Sequence, residues 1–318
     1  MNQKAIILCM LTMSSFVSKS QPTSPGRDTS ILAFTSDTQA PMWVETLWLK
    51  ANKNRTATRM VFDDVLKGSS SSLFILGDVV NLGYSNRQWK PMDKYIHNLR
   101  DKDIKVNAIL GNHEVMGRTK KGEEKFQLRF PDHVRTGYVE IIDSVAVVML
   151  NSNFNKLTEA ENAKQISWYK NTLDKLDADS SVQYIITGCH HSPFTNSKIV
   201  GPSTAVQEKF VPPFLNSKKS RLFLSGHCHG FEHYQVQGKD FLVIGGGGGL
   251  HQPLRKTGDH EDIAEDYKPM FHYLTVHRKA DGLEVTSLEL KKDFSGFEEG
   301  LKLEIKPENA SLHMVAGK

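Results

Sequence analysis

The sequence has little cysteine, three residues in 318, which is too few to hold a small fold together with disulfides. No charge sign dominates: 40 Lys and Arg stand against 36 Asp and Glu, a formal net charge of +4. Short basic runs such as Lys218-Lys219-Ser220-Arg221 read as solvated loop faces. No basic stripe with interleaved aromatics accompanies them, so no nucleic-acid partner is expected. No run reaches the roughly 18 apolar residues that cross a bilayer, so no transmembrane anchor is expected either. Proline (12) and glycine (23) sit at ordinary levels, which excludes collagen-like and low-complexity chains. What is present is a globular composition, 39% hydrophobic and 24% charged, with no internal repeat or linker that demands a second domain.

The longest apolar run lies at the start. Residues 5–17 (AIILCMLTMSSFV) follow Lys4 and lead into Ser18-Lys19-Ser20, the pattern of a secretory signal peptide over residues 1–20. A polar, proline-containing spacer, 21–29, comes next. The expectation is export, periplasmic or secreted, after cleavage. Cleavage removes Lys4 and Lys19 and no acid, leaving 38 basic against 36 acidic residues, or +2.

The abundant residue is histidine, 13 in all, and several stand at recurring places. Residues 31–36 run into Asp37, and 73–77 into Asp78. Residues 106–110 lead to Gly111-Asn112-His113-Glu114, 184–189 to His190-His191, and 222–226 to His227-Cys228-His229. Short apolar runs bounded by glycine or polar residues are what strands buried on both faces look like. Open α/β sheets bind ligands at the carboxyl ends of such strands. Between them, 163–176 predicts a helix with Ile166, Tyr169, Leu173 and Leu176 on one face, and 43–66 and 88–99 also read as helical. Residues 138–142 and 145–150 predict a hairpin. The five-glycine run 245–249 lacks the Lys-Ser/Thr of a phosphate loop and reads as close backbone approach near the site.

Divalent cations take oxygen and imidazole ligands, and a pair of them needs a carboxylate that bridges. Each motif alone is weak; together and in order they resemble the calcineurin-like metallophosphoesterase superfamily, which includes purple acid phosphatases and many phosphodiesterases. The similarity rests on Asp37-x-Gln39, Gly77-Asp78, Gly111-Asn112-His113-Glu114, His190-His191-Ser192-Pro193 and Gly226-His227-Cys228-His229, across about residues 30–290. It implies an α/β fold, a two-sheet β-sandwich flanked by helices, over 30–290. Residues 291–318 are left as a C-terminal extension with one strand-like piece at 301–305.

The resemblance also implies two divalent metal ions, Mn, Zn or Fe. One would be held by Asp37, Asp78 and His229, with Gln39 as a further ligand. The other would be held by Asp78, Asn112, His227 and one of His190 and His191, with His190 favoured and His191 lining the pocket. His113 would face the substrate as electrostatic stabiliser or proton donor. The implied activity is hydrolysis of phosphomonoesters or phosphodiesters by a hydroxide bridging the metals, with a small phosphoester as substrate. Two departures from the family pattern stand out: Gln39 replaces the usual histidine, and Asn81 stands where purple acid phosphatases carry their iron-binding tyrosine, which argues against a purple Fe(III) site. A non-catalytic metal- or ligand-binding relative is the alternative that Gln39 motivates. Cys189 and Cys228 flank ligands and are expected to be small buried thiols rather than nucleophiles.

Overall fold

The computed structural model describes residues 30–307 except 257 and 259. The expected signal segment 1–20, the spacer and the end of the C-terminal extension lie outside the described residues.

Each apolar run ending in a carboxylate or histidine forms a strand. In the first sheet β1 (Ile31–Thr35) pairs in parallel with β2 (Ser70–Ile75), and β2 with β3 (Lys105–Ala108). In the second, β4 (Tyr138–Ile142) and β5 (Val145–Leu150) form the predicted hairpin, Ile142 opposite Val145. From β5 the sheet continues in parallel through β6 (Tyr184–Cys189), β7 (Ser220–Ser225) and β9 (Lys239–Ile244), with β8 (Phe231–Val236) antiparallel at the edge. The first sheet is completed by β10 (His272–Lys279), β11 (Gly282–Leu290) and β12 (Phe297–Ile305), giving two mixed sheets of six strands.

Strand alternation divides the apolar residues among three buried layers. Phe34, Phe74, Leu76, Val147, Met149, Ile186 and Leu224 meet between the sheets. Ala33, Leu73 and Ile75 face α1 (Asn54–Lys67) and α2 (Asn86–Arg100) through Val61, Phe62, Trp89 and Ile96. Val148, Ile185 and Phe223 face α5 (Glu159–Ala178) and the short α6 (Thr204–Lys209) and α7 (Val211–Asn216). The short α3 (Asn112–Val115) and α4 (Thr119–Gln127) follow β3. No described helix is long and apolar enough to cross a membrane.

Three expectations change in detail. The helix expected over 43–66 begins only at Asn54. Lys53 before it takes φ 52°, and the Asn54 amide is drawn to the carbonyls of Gly248 and Gly249 at 2.8 and 2.9 Å. Trp43, Leu47 and Trp48 are consequently exposed on the preceding segment. In α5, Gln165 is buried while Ile166 is only half-buried, because the Gln165 side chain bonds the main-chain N–H and C=O of Asn151 at 2.9 and 3.0 Å. Within the expected extension after 290, Phe297–Ile305, which contains the strand-like piece at 301–305, pairs antiparallel with β11 as the edge strand of the first sheet. Its exposed charged residues, Glu298, Glu299, Lys302 and Glu304, weaken the apolar periodicity that marks the interior strands.

Candidate metal centre

The strand ends turn abruptly into the site. Asp37 (φ 57°), Asp78 (φ 50°) and His227 (φ 68°) all adopt left-handed backbone, which aspartate tolerates better than most residues and which costs about 1 kcal/mol or more for histidine. The glycines beside them permit close approach. A Cβ at Gly111 would lie 2.1 Å from Asp78 Oδ1, and one at Gly249 would lie 2.6 Å from the His229 ring. The five-glycine loop is strapped to the first motif by Gly247 N–H to the Ser36 carbonyl (2.9 Å) and Gly249 N–H to the Asp37 carbonyl (2.8 Å).

The imidazoles are held from behind. His190 Nδ1 lies 2.9 Å from the Leu76 carbonyl, which fixes that nitrogen as the donor and leaves Nε2 facing Asn112 Oδ1 (2.9 Å) and Asp78 Oδ2 (3.3 Å). His229 Nδ1 lies 2.7 Å from the Leu250 carbonyl, which turns its Nε2 towards Asp37 Oδ1 at 3.3 Å. A backbone carbonyl on the far nitrogen is the usual device for orienting a metal-binding imidazole. The Gln39 amide is assigned from its hydrogen-bond network. With its nitrogen donating to the Asp78 and Asp37 carbonyls at 2.9 and 3.1 Å, its oxygen faces His229 Nε2 at 3.3 Å.

His191 and His227 complete the cluster. Ligand atoms of His190, His191 and His227 lie within 4.8 Å of one another, as do those of Asp37, Asp78 and His190. His191 Nδ1 lies 2.8 Å from Ser152 Oγ, so it faces the cluster from a different side than His190, which meets Asp78 and Asn112 directly. His113 stands beside these groups: its Nδ1 is 3.0 Å from the Asn81 carbonyl and its Nε2 is 3.8 Å from Asp78 Oδ2.

The electrostatics fit a cation. Burial pushes the Asp78 carboxyl up, but His190 and His113 beside it outweigh that and hold it well below the ordinary range. Asp37 is likewise raised by burial and lowered more by His229 and His190. Burial depresses His190, but Asp78 and then Asp37 bring it up to about 9. Burial, then the charge on His190, pushes His191 and His227 down to about 3. Asp37 Oδ1 is buried without a hydrogen-bond partner, the His229 ring nearby notwithstanding. A buried carboxylate oxygen left unmatched among inward-facing imidazoles and amide oxygens is a donor set of the kind borderline divalent cations use.

Burial also pushes the Cys189 and Cys228 thiols up, and both are free and buried. Neither is poised as a thiolate nucleophile.

One residue carries a part that sequence reasoning did not assign. Glu114 is fully buried, and its carboxylate accepts main-chain N–H bonds from Asp78 (2.9 Å), Gly111 (2.8 Å) and Val80 (3.0 Å). It ties the loop after β2 to the loop after β3, and Asp78 Oδ1 returns the tie by accepting from His113 N–H at 2.9 Å. The available signal was a glutamate inside the Gly-Asn-His-Glu motif, directly beside two proposed functional residues.

Two six-stranded sheets under flanking helices define a metallophosphoesterase-type fold, and an Asp, Asn and His cluster stands at its strand ends. The model of the calcineurin-like phosphoesterase family matches residues 31–231, and the chain belongs to that family. Purple acid phosphatase PPD1 from yellow lupin (Lupinus luteus) superposes with a TM-score of 0.64 at 15% identity, over 88% of this chain and 55% of its own. The chain thus spans about half the length of the lupin protein. GAP50, described as the anchor in the inner membrane complex of Plasmodium, gives 0.63 at 14% identity, over 91% of this chain and 95% of its own. A dimetal phosphatase from Danio rerio gives 0.57 at 12% identity, over 89% and 100%. At these identities the likeness is one of fold. No curated protein matches the chain in sequence.

Proposed function

We propose that the protein is an exported phosphoesterase that uses two divalent metal ions to hydrolyse a phosphomonoester or phosphodiester. Asp37, Asp78, His229 and the Gln39 oxygen would hold one ion, and Asp78, Asn112, His190 and His227 the other, with Asp78 shared. The observation that carries this reading is the double anchoring of the imidazoles. Leu76 and Leu250 take the far nitrogens of His190 and His229, so that both Nε2 atoms converge with Asn112, Asp37 and Asp78.

Bound cations would supply Lewis acidity to phosphoryl oxygens and make water available as hydroxide near neutral pH. The protein's own work is orientation and proton handling. With the Asn81 carbonyl taking its Nδ1–H, His113 presents Nε2 to the site. Burial depresses His113, but Asp78 and the Asn81 carbonyl raise it above its ordinary value. The shift favours the protonated form, whose proton would be given to a departing alkoxide or placed against added negative charge. The same arrangement weighs against a non-catalytic relative, since metal binding alone does not require a proton donor anchored beside the bridging carboxylate.

The test is turnover of a chromogenic phosphomonoester and phosphodiester by the metal-loaded protein beside His113→Ala. General acid catalysis predicts a fall in kcat of about 10²- to 10⁴-fold with metal content unchanged. An unaltered kcat would remove His113 from the mechanism.

A further inference from the structure

Tryptophan is highly buried on average, yet two of the four in this chain stand on one exposed turn. Trp43 is 77% exposed and Trp48 74%, with Leu47 beside them at 64%. The other two are covered, Trp89 fully buried and Trp168 half-buried. The turn is closed by its own bonds. The main-chain N–H groups of Trp48 and Leu49 both donate to the Glu45 carbonyl, at 3.1 and 2.9 Å, and the Glu45 carboxylate accepts the Met42 N–H at 2.6 Å. Met42, Val44, Glu45 and Leu49 are thereby half-buried while the two tryptophans and Leu47 face solvent.

Both ends of the segment are tied to the body of the protein. Ahead of the turn the Ala40 carbonyl accepts from Asn81 Nδ2 at 2.9 Å, and after it Asn54 Nδ2 donates to the carbonyls of Gly248 and Gly249. The apolar side chains are therefore held out in water by a fixed loop. Cations accompany them. Lys50, Lys53 and Arg55 are exposed, and Glu45 is the one acid between Ala40 and Arg55. Lys53 Nζ lies 5.0 Å from the Phe294 ring centroid, on a second turn that carries the exposed Lys292. Asn52 Nδ2 lies 3.0 Å from Met270 Sδ, which adds a further partly exposed apolar side chain at 39%.

This composition separates the candidate occupants. A standard protein interface takes about 800 Å² from each partner and is depleted in lysine at its core. The two tryptophans and Leu47 offer roughly 400 Å², with lysines next to them. A bilayer sets no such area: tryptophan and leucine enter the boundary between headgroups and acyl chains, and lysine and arginine stay at the phosphates.

We propose that the turn Trp43–Trp48 docks the protein on an anionic phospholipid surface, Trp43, Leu47 and Trp48 entering the headgroup boundary and Lys50, Lys53 and Arg55 meeting the lipid phosphates. The chain then lies on a membrane without this segment spanning it. Since the turn follows Gln39 by only a few residues, docking would hold the metal centre near that surface. Docking is independent of whether the metal centre hydrolyses an ester.

The experiment sediments the full chain with vesicles of phosphatidylcholine alone, or of phosphatidylcholine and phosphatidylglycerol in equal parts. Wild type is compared with the double variants Trp43→Ala with Trp48→Ala and Lys50→Gln with Lys53→Gln. Wild type should bind the mixed vesicles, and partitioning should fall roughly 100-fold without the two tryptophans. Loss of the two lysines should cost roughly tenfold at low salt, a difference that disappears at high salt. Brominated lipid should quench wild-type tryptophan fluorescence, a readout that needs no variant. The tryptophan variant should melt as wild type does, because neither side chain is packed in the fold. Absence of binding by wild type overturns the proposal, as does absence of quenching or equal binding to both lipid compositions. Undiminished binding by the tryptophan variant also overturns it and assigns the affinity to another segment, such as the apolar run 5–17. Self-association in the ultracentrifuge that the tryptophan variant abolishes, without vesicle binding, overturns it in favour of a second copy of the chain.

Discussion

Replacing Glu114 with glutamine exchanges a carboxylate for an amide of nearly the same shape and tests what positions Asp78. In the native site Oε2 accepts from the main-chain N–H groups of Asp78 and Gly111, and Oε1 accepts from Val80. Glutamine keeps one acceptor oxygen and turns an NH₂ group on at least one of those three donors. A buried donor left without an acceptor costs about 1–3 kcal/mol. For a chain of this size each kcal/mol lowers Tm by about 2–4 °C, so a drop of roughly 5 °C is expected. Because the orphaned donor lies on a loop that carries a proposed ligand, metal affinity should fall by tenfold or more, about 1.4 kcal/mol per factor of ten. The assay is calorimetric titration of Mn²⁺ or Zn²⁺ beside a thermal melt at pH 8. That pH lies above the value of about 7 to which burial, and then the charge on Asp78, raise Glu114, so the native side chain is ionised. Wild-type affinity together with a wild-type Tm would refute the claim that Glu114 holds Asp78 in place.

Further predictions concern pH and processing. His190 stands at about 9 in the metal-free protein, so binding a cation at neutral pH must release its proton. Apparent metal affinity should rise about tenfold per pH unit from pH 7 and level off near 9, and a pH-independent affinity by calorimetry would contradict this. Burial, then Arg135, pushes His133 down to about 4, below its unfolded value of about 6.5. Its neutral form is therefore favoured in the fold. The stability it contributes is present above pH 6.5 and is lost as pH falls towards 4, amounting to about 3 kcal/mol at most. His133→Phe should flatten that part of the acid denaturation curve, and an unchanged pH dependence would show that His133 is not its source. If residues 1–20 direct export, N-terminal sequencing of protein recovered outside the cytoplasm should find them removed; a mature chain that still begins at Met1 would contradict export by cleavage.

Much of this was legible in the sequence because the site is built at the ends of strands buried on both faces. Such strands are short apolar runs, and the residue after each run is where the chain leaves the sheet, which is why Asp37, Asp78, Asn112, His190 and His227 stood out before any geometry. Three features were hidden in whole or in part, for separate reasons. Glu114 acts through main-chain N–H groups 34 and 36 residues away, a contact that no local pattern records. Of the edge strand Phe297–Ile305 only the piece 301–305 was legible, because its outward residues are charged and its periodicity is faint. The stretch from Trp43 to Lys53 has helix-compatible residues, but its neighbour Asn54 is tied to the distant carbonyls of Gly248 and Gly249, and that tertiary tie sets where α1 begins. The choice between His190 and His191 is geometric in the same sense: the Leu76 carbonyl, 114 residues from His190, determines which face of that ring meets Asp78 and Asn112.

The central claim is that the Asp, Asn and His cluster supports hydrolysis with two cations, and titration of metal-free protein with Mn²⁺ during turnover tests it most directly. Hydrolysis of 4-nitrophenyl phosphate or bis(4-nitrophenyl) phosphate is followed as metal is added. The account predicts no turnover without metal, a rise that reaches its plateau at two bound ions per chain, and loss of activity on chelation. Two bound ions with neither ester hydrolysed would contradict it.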